Sequence, residues 1–338
     1  MRDDHDARHP REKRVYLATG LLVAGVNNKY KLMLQIARQW PELHGFMQRM
    51  TAALGEQGVQ RLGVDCIGVV QWPYLSKSWE APQRLAVIAS HFEVMAGQFP
   101  TLLLLGRDES LTLCELSSHS PGCSLVLDRP IWFKREGELV LNLFQGDLRV
   151  ASLAFTLCRS HGELYLFIGA VQGIHKGIDS ETSLTIYRDL TKDFEGLRPR
   201  SLVLEALKCL ARALGVAHLY AVSDACRHHR HAYFGSDKGQ DLAANYDVIW
   251  QEHGASASNQ ADFFTVPLAP AQRAESDIPA KKRAMYRRRQ AMLDDVFSRL
   301  QAALPSSSHN LGLQGKQGDA FAVSASAVDK PPVVDSLK

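Results

Sequence analysis

LVLNLFQGDLRVASLAFTLCRSHGELYLFIGAV, residues 139–171, decides the fold. It holds three apolar runs, Leu139–Phe144, Leu148–Leu157 and Leu164–Val171. Gly146-Asp147 and His161-Gly162 lie between them, as short glycine-containing pairs do in hairpin turns. The stretch therefore reads as an antiparallel meander. Leu111–Leu116 and Ser124–Leu127 read as two strands before it. Two helices follow, over Ser180–Phe194 and from Pro199 to Leu214. The second buries Leu202, Leu204, Ala206, Leu207, Leu210 and Leu214, and Gly215 closes it as a C-cap. His218–Val222 is a short buried strand, 242–253 a helix, Phe263–Leu268 a last strand and Ala284–Leu300 a terminal helix.

Upstream, from Lys29 to Phe99, the apolar spacing becomes helical. Leu43, Phe46, Met47, Met50, Ala53 and Leu54 recur at three- and four-residue intervals, with Gly55 and Gly58 as punctuation. Pro82 opens a helix whose buried face is Leu85, Ile88, Ala89, Phe92 and Met95. The expected class is α+β: a helical subdomain over 29–105, then an α+β domain over 106–304 with a mainly antiparallel sheet and flanking helices. Residues 1–28 read as a flexible N-terminus, and the Ser-, Gly- and Pro-containing 305–338 as a disordered tail. No internal repeat is visible.

With 338 residues, 46% hydrophobic and 22% charged, the chain has an ordinary soluble composition. Val15–Val26 is apolar over 12 residues, whereas a bilayer span needs about 20. Asp3, Asp4, Asp6 and Glu12 precede it, unlike the basic leader of a secretory signal. The net charge is +3, and Lys281, Lys282, Arg283, Arg287, Arg288 and Arg289 supply six positive charges, so the rest of the chain carries 3 − 6 = −3. The basic excess is local. None of the six cysteines has C-x-x-C spacing, which fits a reduced, cytoplasmic protein.

Four stretches together resemble the VirK/YbjX family. They are Trp72-Pro73-Tyr74-Leu75 with Gln83-Arg84-Leu85 and His91-Phe92; Gly196-Leu197-Arg198-Pro199-Arg200 with Leu214-Gly215-Val216; Ala221-Val222-Ser223-Asp224; and Ile278-Pro279-Ala280 running into the basic segment 281–289. Tyr246-Asp247 and Trp250 precede the last of them. The resemblance covers roughly 29–300. It implies a bacterial intracellular protein associated with virulence, resistance to cationic antimicrobial peptides and placement of a surface protein in the outer membrane. It carries no catalytic residues over.

The order of meander, helix and strand from Leu139 to Val222 also resembles the Gcn5-related N-acetyltransferase fold. That resemblance implies acyl-CoA, with its pyrophosphate at a helix N-terminus, where free N–H groups and the helix dipole favour an anion. Arg198, Arg200 and Ser201 stand at the matching helix start, and two guanidiniums suit phosphate. The segment departs from the family in having no glycine after Gly196 and an extra helix before it. A structural helix start with solvated arginines is the alternative. By position, Tyr233 or Tyr246 would serve as general acid.

Cys226-Arg227-His228-His229-Arg230-His231 is the most unusual composition in the chain. Cys226, His228, His229 and His231 carry good zinc or copper ligands. Adjacent histidines diverge on most backbones, and the arginines between them repel a cation, so a pH-sensitive basic loop is the competing reading. Ser223-Asp224 near these histidines invites a hydrolase reading, but no G-x-S-x-G is present, and serine after a strand is usually a cap. The basic run 281–289 reads either as a solvated helix face or as a contact for anionic lipid at the inner membrane. Nucleic acid is not expected, because no aromatic residues alternate with the charges as stacking sites require. Two functions stay open: an acyl-CoA-dependent transferase acting on an envelope precursor or protein, and a non-catalytic adaptor or chaperone that brings a surface-protein client to the membrane.

Overall fold

The computed structural model describes residues 29–62, 65–100, 109–130, 133–175, 177–235, 244–270 and 275–304. The flexible N-terminus, the apolar run 15–26 and the tail 305–338 lie outside the described residues.

The helical part comprises α1 (Lys29–Arg38), α2 (Trp40–Leu62), α3 (Asp65–Gly68) and α4 (Ala81–Gln98). Gly55 interrupts α2 with a φ of 69°, a backbone that glycine adopts without a Cβ penalty. The sheet strands are β1 (Ser110–Glu115), β2 (Cys123–Asp128), β3 (Leu139–Gln145), β4 (Leu148–Ser160) and β5 (Glu163–Gln172). Helices α5 (Ser180–Asp193) and α6 (Pro199–Ala213) lead to β6 (Val216–Val222). Then come α7 (Tyr246–Glu252), β7 (Ser256–Ala257), β8 (Phe263–Thr265) and α8 (Ala280–Ala303). The sheet order is β1-β2-β3-β4-β5-β6-β8-β7. Every pair is antiparallel except β5 with β6, which is parallel. The expected α+β class, with a mainly antiparallel sheet, is what the chain forms.

The continuous apolar character of β4 has a direct cause: it is covered on both faces, and 10 of its 13 residues are buried. Phe155 and Leu157 line an apolar seam with Leu207, Leu210 and Leu214 of α6 and its C-cap. On the alternate residues, Thr156 meets the Tyr74 hydroxyl at 2.7 Å. Helix α4 packs on this strand, and Ser90 Oγ accepts the Arg159 N–H at 2.8 Å. One hydrophobic core runs from Leu32 in α1 through the sheet to Leu300 in α8. The residues of 29–105 and of 106–304 thus share it.

Three boundaries differ from the sequence reading. Helix α8 starts at Ala280, because Pro279 can precede a helix and the basic residues after it are good helix formers. Strand β8 ends at Thr265, and β7 is only two residues long, too short to show a period of two. Helix α7 begins at Tyr246, where the Asn245 side chain caps the N–H groups of Asp247 and Val248.

One irregularity positions the site. In the β4–β5 pairing, Ala154 faces Ala170 and Phe155 faces Ile168, so Gly169 is an extra residue in β5. Bulges bend a strand and recur beside functional sites. The last β5–β6 pair is Ile168 with Ala221, and beyond it the two strands part. A Cβ on Gly169 would collide with the Glu136 carbonyl, so glycine lets the 133–138 segment lie directly on the bulge. Leu75, at a φ of 56°, donates its N–H to Arg135 O at 2.8 Å and holds that segment in place.

Candidate functional site

Ligands of sheets with parallel strands settle at the carboxyl ends of those strands, where neighbouring connections diverge. Here that place is the opening beyond Ile168 and Ala221. Three parts of the chain meet there: segment 133–138, the short turns after β6, and the start of α6.

Glu136 is the centre. It is 3% exposed, and its Oε1 accepts no hydrogen bond from a described residue. Burial pushes its carboxyl up to about 8, against the opposing charge of Arg227. Nδ1 of His228 and Nδ1 of His229 each lie 3.7 Å from Glu136 Oε1. The two histidines share a 3-10 turn over 228–230, and their rings are 3.7 Å apart, centre to centre. The expectation that adjacent histidines diverge is therefore overturned. The tight turn, with Phe234 5.6 Å from each ring, directs both towards one carboxylate.

The other candidates from that segment go elsewhere. The Cys226 thiol donates to Asp262 Oδ1 at 3.4 Å, and burial is the main cause holding it above its ordinary range. His231 Nδ1 accepts the Tyr233 N–H at 3.0 Å. Arg227 and Arg230, expected to repel a cation, both turn to Asp224. Burial raises the Asp224 carboxyl, but the Tyr246 N–H and Arg230 outweigh it and the group sits below its ordinary range.

Tyr246, expected by position as a general acid, is 0% exposed. Its hydroxyl accepts the Val171 N–H and donates to Val171 O, both at 3.1 Å. Arg227 lies 3.7 Å above its ring. Burial, with the Glu136 charge adding to it, drives its phenol far above the ordinary value. This tyrosine bridges the parted edge of β5 and is sealed from any acceptor. Tyr233 sits nearer the surface, with Arg135 5.1 Å over its ring. The same guanidinium lies 4.8 Å from Trp72 and 5.1 Å from Phe234, which makes an aromatic box over the cluster.

At the start of α6 the three phosphate candidates separate. Arg198 reaches Glu252 at 3.3 Å, and its side chain is 72% exposed. Arg200 lies against Gly173, just past β5, and its buried Nε has no hydrogen-bond partner among the described residues. Its charge also reaches Tyr246. Ser201 Oγ is 3.3 Å from His253 Nε2, and His253 Nδ1 is 4.0 Å from Glu205, which pairs with the fully buried Lys208 at 2.9 Å.

The basic run on α8 divides as well. Arg288 grips Glu195 with two bonds of 2.8 and 2.9 Å, Arg289 donates to Glu195 O, and Arg283 donates to Ile278 O. Lys281, Lys282 and Arg287 are exposed. Among the described residues, no helix is long and apolar enough to cross a membrane.

Sequence reasoning found His228 and His229 but missed Glu136. The carboxylate sits in a charged break between strands, and nothing in its spacing links it to the histidines. Segment 133–138 is brought to them by the fold, lying against the bulge at Gly169 and tethered by the Leu75 N–H.

No solved structure matches this one. The chain is 29% identical over 231 residues to the uncharacterized protein YbjX of Escherichia coli, which covers 66% of this chain and 67% of that one. It is 28% identical over 223 residues to an uncharacterized protein of Haemophilus influenzae, covering 66% and 70%. A second uncharacterized H. influenzae protein is 26% identical over 162 residues, covering 48% and 51%. The model of the DUF535 family, described as a protein of unknown function, matches residues 23–302. That match takes in the whole sheet, the bulge and the converging side chains, and the chain belongs to the DUF535 family.

Proposed function

We propose that the protein is an acyl-CoA-dependent transferase whose donor docks at the start of α6, and that it acts on an envelope precursor or protein in the setting the VirK/YbjX resemblance implies. One observation carries this reading. The α6 N-terminus, with Arg200 held against Gly173, stands at the carboxyl end of the one parallel pair in the sheet. Helix N-terminal N–H groups and a guanidinium are the donors that a phosphate takes. The buried Arg200 Nε, without a protein acceptor among the described residues, fits an anion there. Arg198 can exchange its exposed Glu252 partner for phosphate at little cost, since surface pairs are worth only about 0–1 kcal/mol. Because Tyr246 holds the Val171 edge, the donor's phosphate end meets α6 outside that tyrosine.

Calorimetric titration with acetyl-CoA, beside free CoA and ATP, tests the assignment. Micromolar binding to the full chain that is lost in the Arg198→Ala/Arg200→Ala double variant is expected. Binding that survives the double substitution contradicts the site, and no binding to a folded sample favours the adaptor reading.

A further inference from the structure

Glu136 and the adjacent pair His228 and His229 come from distant parts of the chain and bring three ligand atoms together. The atoms lie within 4.8 Å of one another, and the two measured edges are 3.7 Å. An edge of 3.7 Å is too long for a hydrogen bond. It is close to the edge of about 3.3 Å that tetrahedral bonds of about 2.0–2.1 Å would give around zinc. A shift of a few tenths of an ångström would close the difference on those two edges. We propose that these three residues bind one divalent transition-metal ion, with Zn²⁺ as the probe.

The chemistry of the donor set selects this class. Two imidazoles and one carboxylate suit zinc or a non-haem divalent metal, whereas magnesium and calcium prefer all-oxygen sites. Burial supports it too. A carboxylate that is 3% exposed is costly to ionise unless a cation faces it. Arg227, whose charge acts on Glu136, donates from one terminal nitrogen to Asp224 and Ala244 O. Arg230 donates to Asp224 as well. Three protein ligands leave a fourth position, the pattern of catalytic rather than structural zinc. His229 is the accessible member, with 28% of its side chain exposed, so that position opens on its side, beneath the box of Arg135, Trp72 and Phe234. An oxygen or nitrogen atom of a small ligand could complete the shell there. The inference stands apart from the acyl-CoA reading, because it uses no residue of α6.

The test uses the full chain, stripped with a chelator and titrated with Zn²⁺ against a chromophoric competitor. One equivalent should bind tightly and raise the melting temperature. Affinity should fall by more than about tenfold in His229→Ala and in Glu136→Gln, because loss of even an outer-shell partner costs 10–100-fold. His231→Ala should bind as the wild type does. His229→Ala changes a half-buried position and carries the result if Glu136→Gln does not fold. Absent uptake, uptake undiminished in His229→Ala, or an equal loss in His231→Ala would each overturn the site, whatever acetyl-CoA does.

Discussion

Tyr246 buries its ring beneath Arg227 and sets its hydroxyl on both backbone polar atoms of Val171. A buried N–H or C=O left unpaired costs about 1–3 kcal/mol. Tyr246→Phe should therefore destabilise the fold by about 1–3 kcal/mol in urea unfolding, with little change in the slope. An unchanged midpoint would show that another group satisfies Val171. Position in the chain had suggested a general acid, but only the folded burial shows that this phenol is sealed away. His228 and His229 were legible because two adjacent histidines between arginines are rare in composition. Glu136 was not, since a single carboxylate in a charged turn has no local signature. Its role arises from a contact between segments far apart in sequence.

At the scale of elements, the seam between α4 and β4 carries a titratable lock. His91 Nδ1 accepts the Leu157 N–H at 3.2 Å, and the ring is 2% exposed. Burial, helped by the Arg129 charge, lowers its pKa from 6.5 to about 3. Below 6.5 the unfolded chain takes up a proton that the folded chain refuses. Stability must therefore fall as pH drops from about 6.5 towards 3, by roughly 1.4 kcal/mol per pH unit from this group. His91→Asn keeps an acceptor near the Nδ1 position and does not titrate. Its denaturation midpoint should fall less steeply than that of the wild type over this range, and parallel curves would contradict the assignment. The helices and long strands were legible because their apolar spacing is regular. The short β7 and the parted ends of β5 and β6 were not, because two-residue pairing and a bulge leave no period to read. The basic stretch at the start of α8 was visible as charge, but its division into gripped and exposed residues depends on Glu195, which sits at a φ of 52° in the turn before α6.

Across the described residues, the central strand β4 is covered on both faces, and the antiparallel meander gives way to the parallel pairing of β5 with β6. The sequence supported an α+β chain with that order of elements, since each run was long enough to identify. It left open which edge of β5 the returning strand would join, because pairing partners are set by packing rather than by local pattern. That choice creates the opening at which α6, Arg200 and the Glu136 cluster meet, and the account of function depends on it. The most direct measurement is hydrogen–deuterium exchange of the full chain with and without acetyl-CoA. The account predicts slowed exchange in the first turn of α6, residues 199–203, and in 173–175 beside Arg200. Protection confined to another part of the molecule, or none at saturating acetyl-CoA, would contradict it.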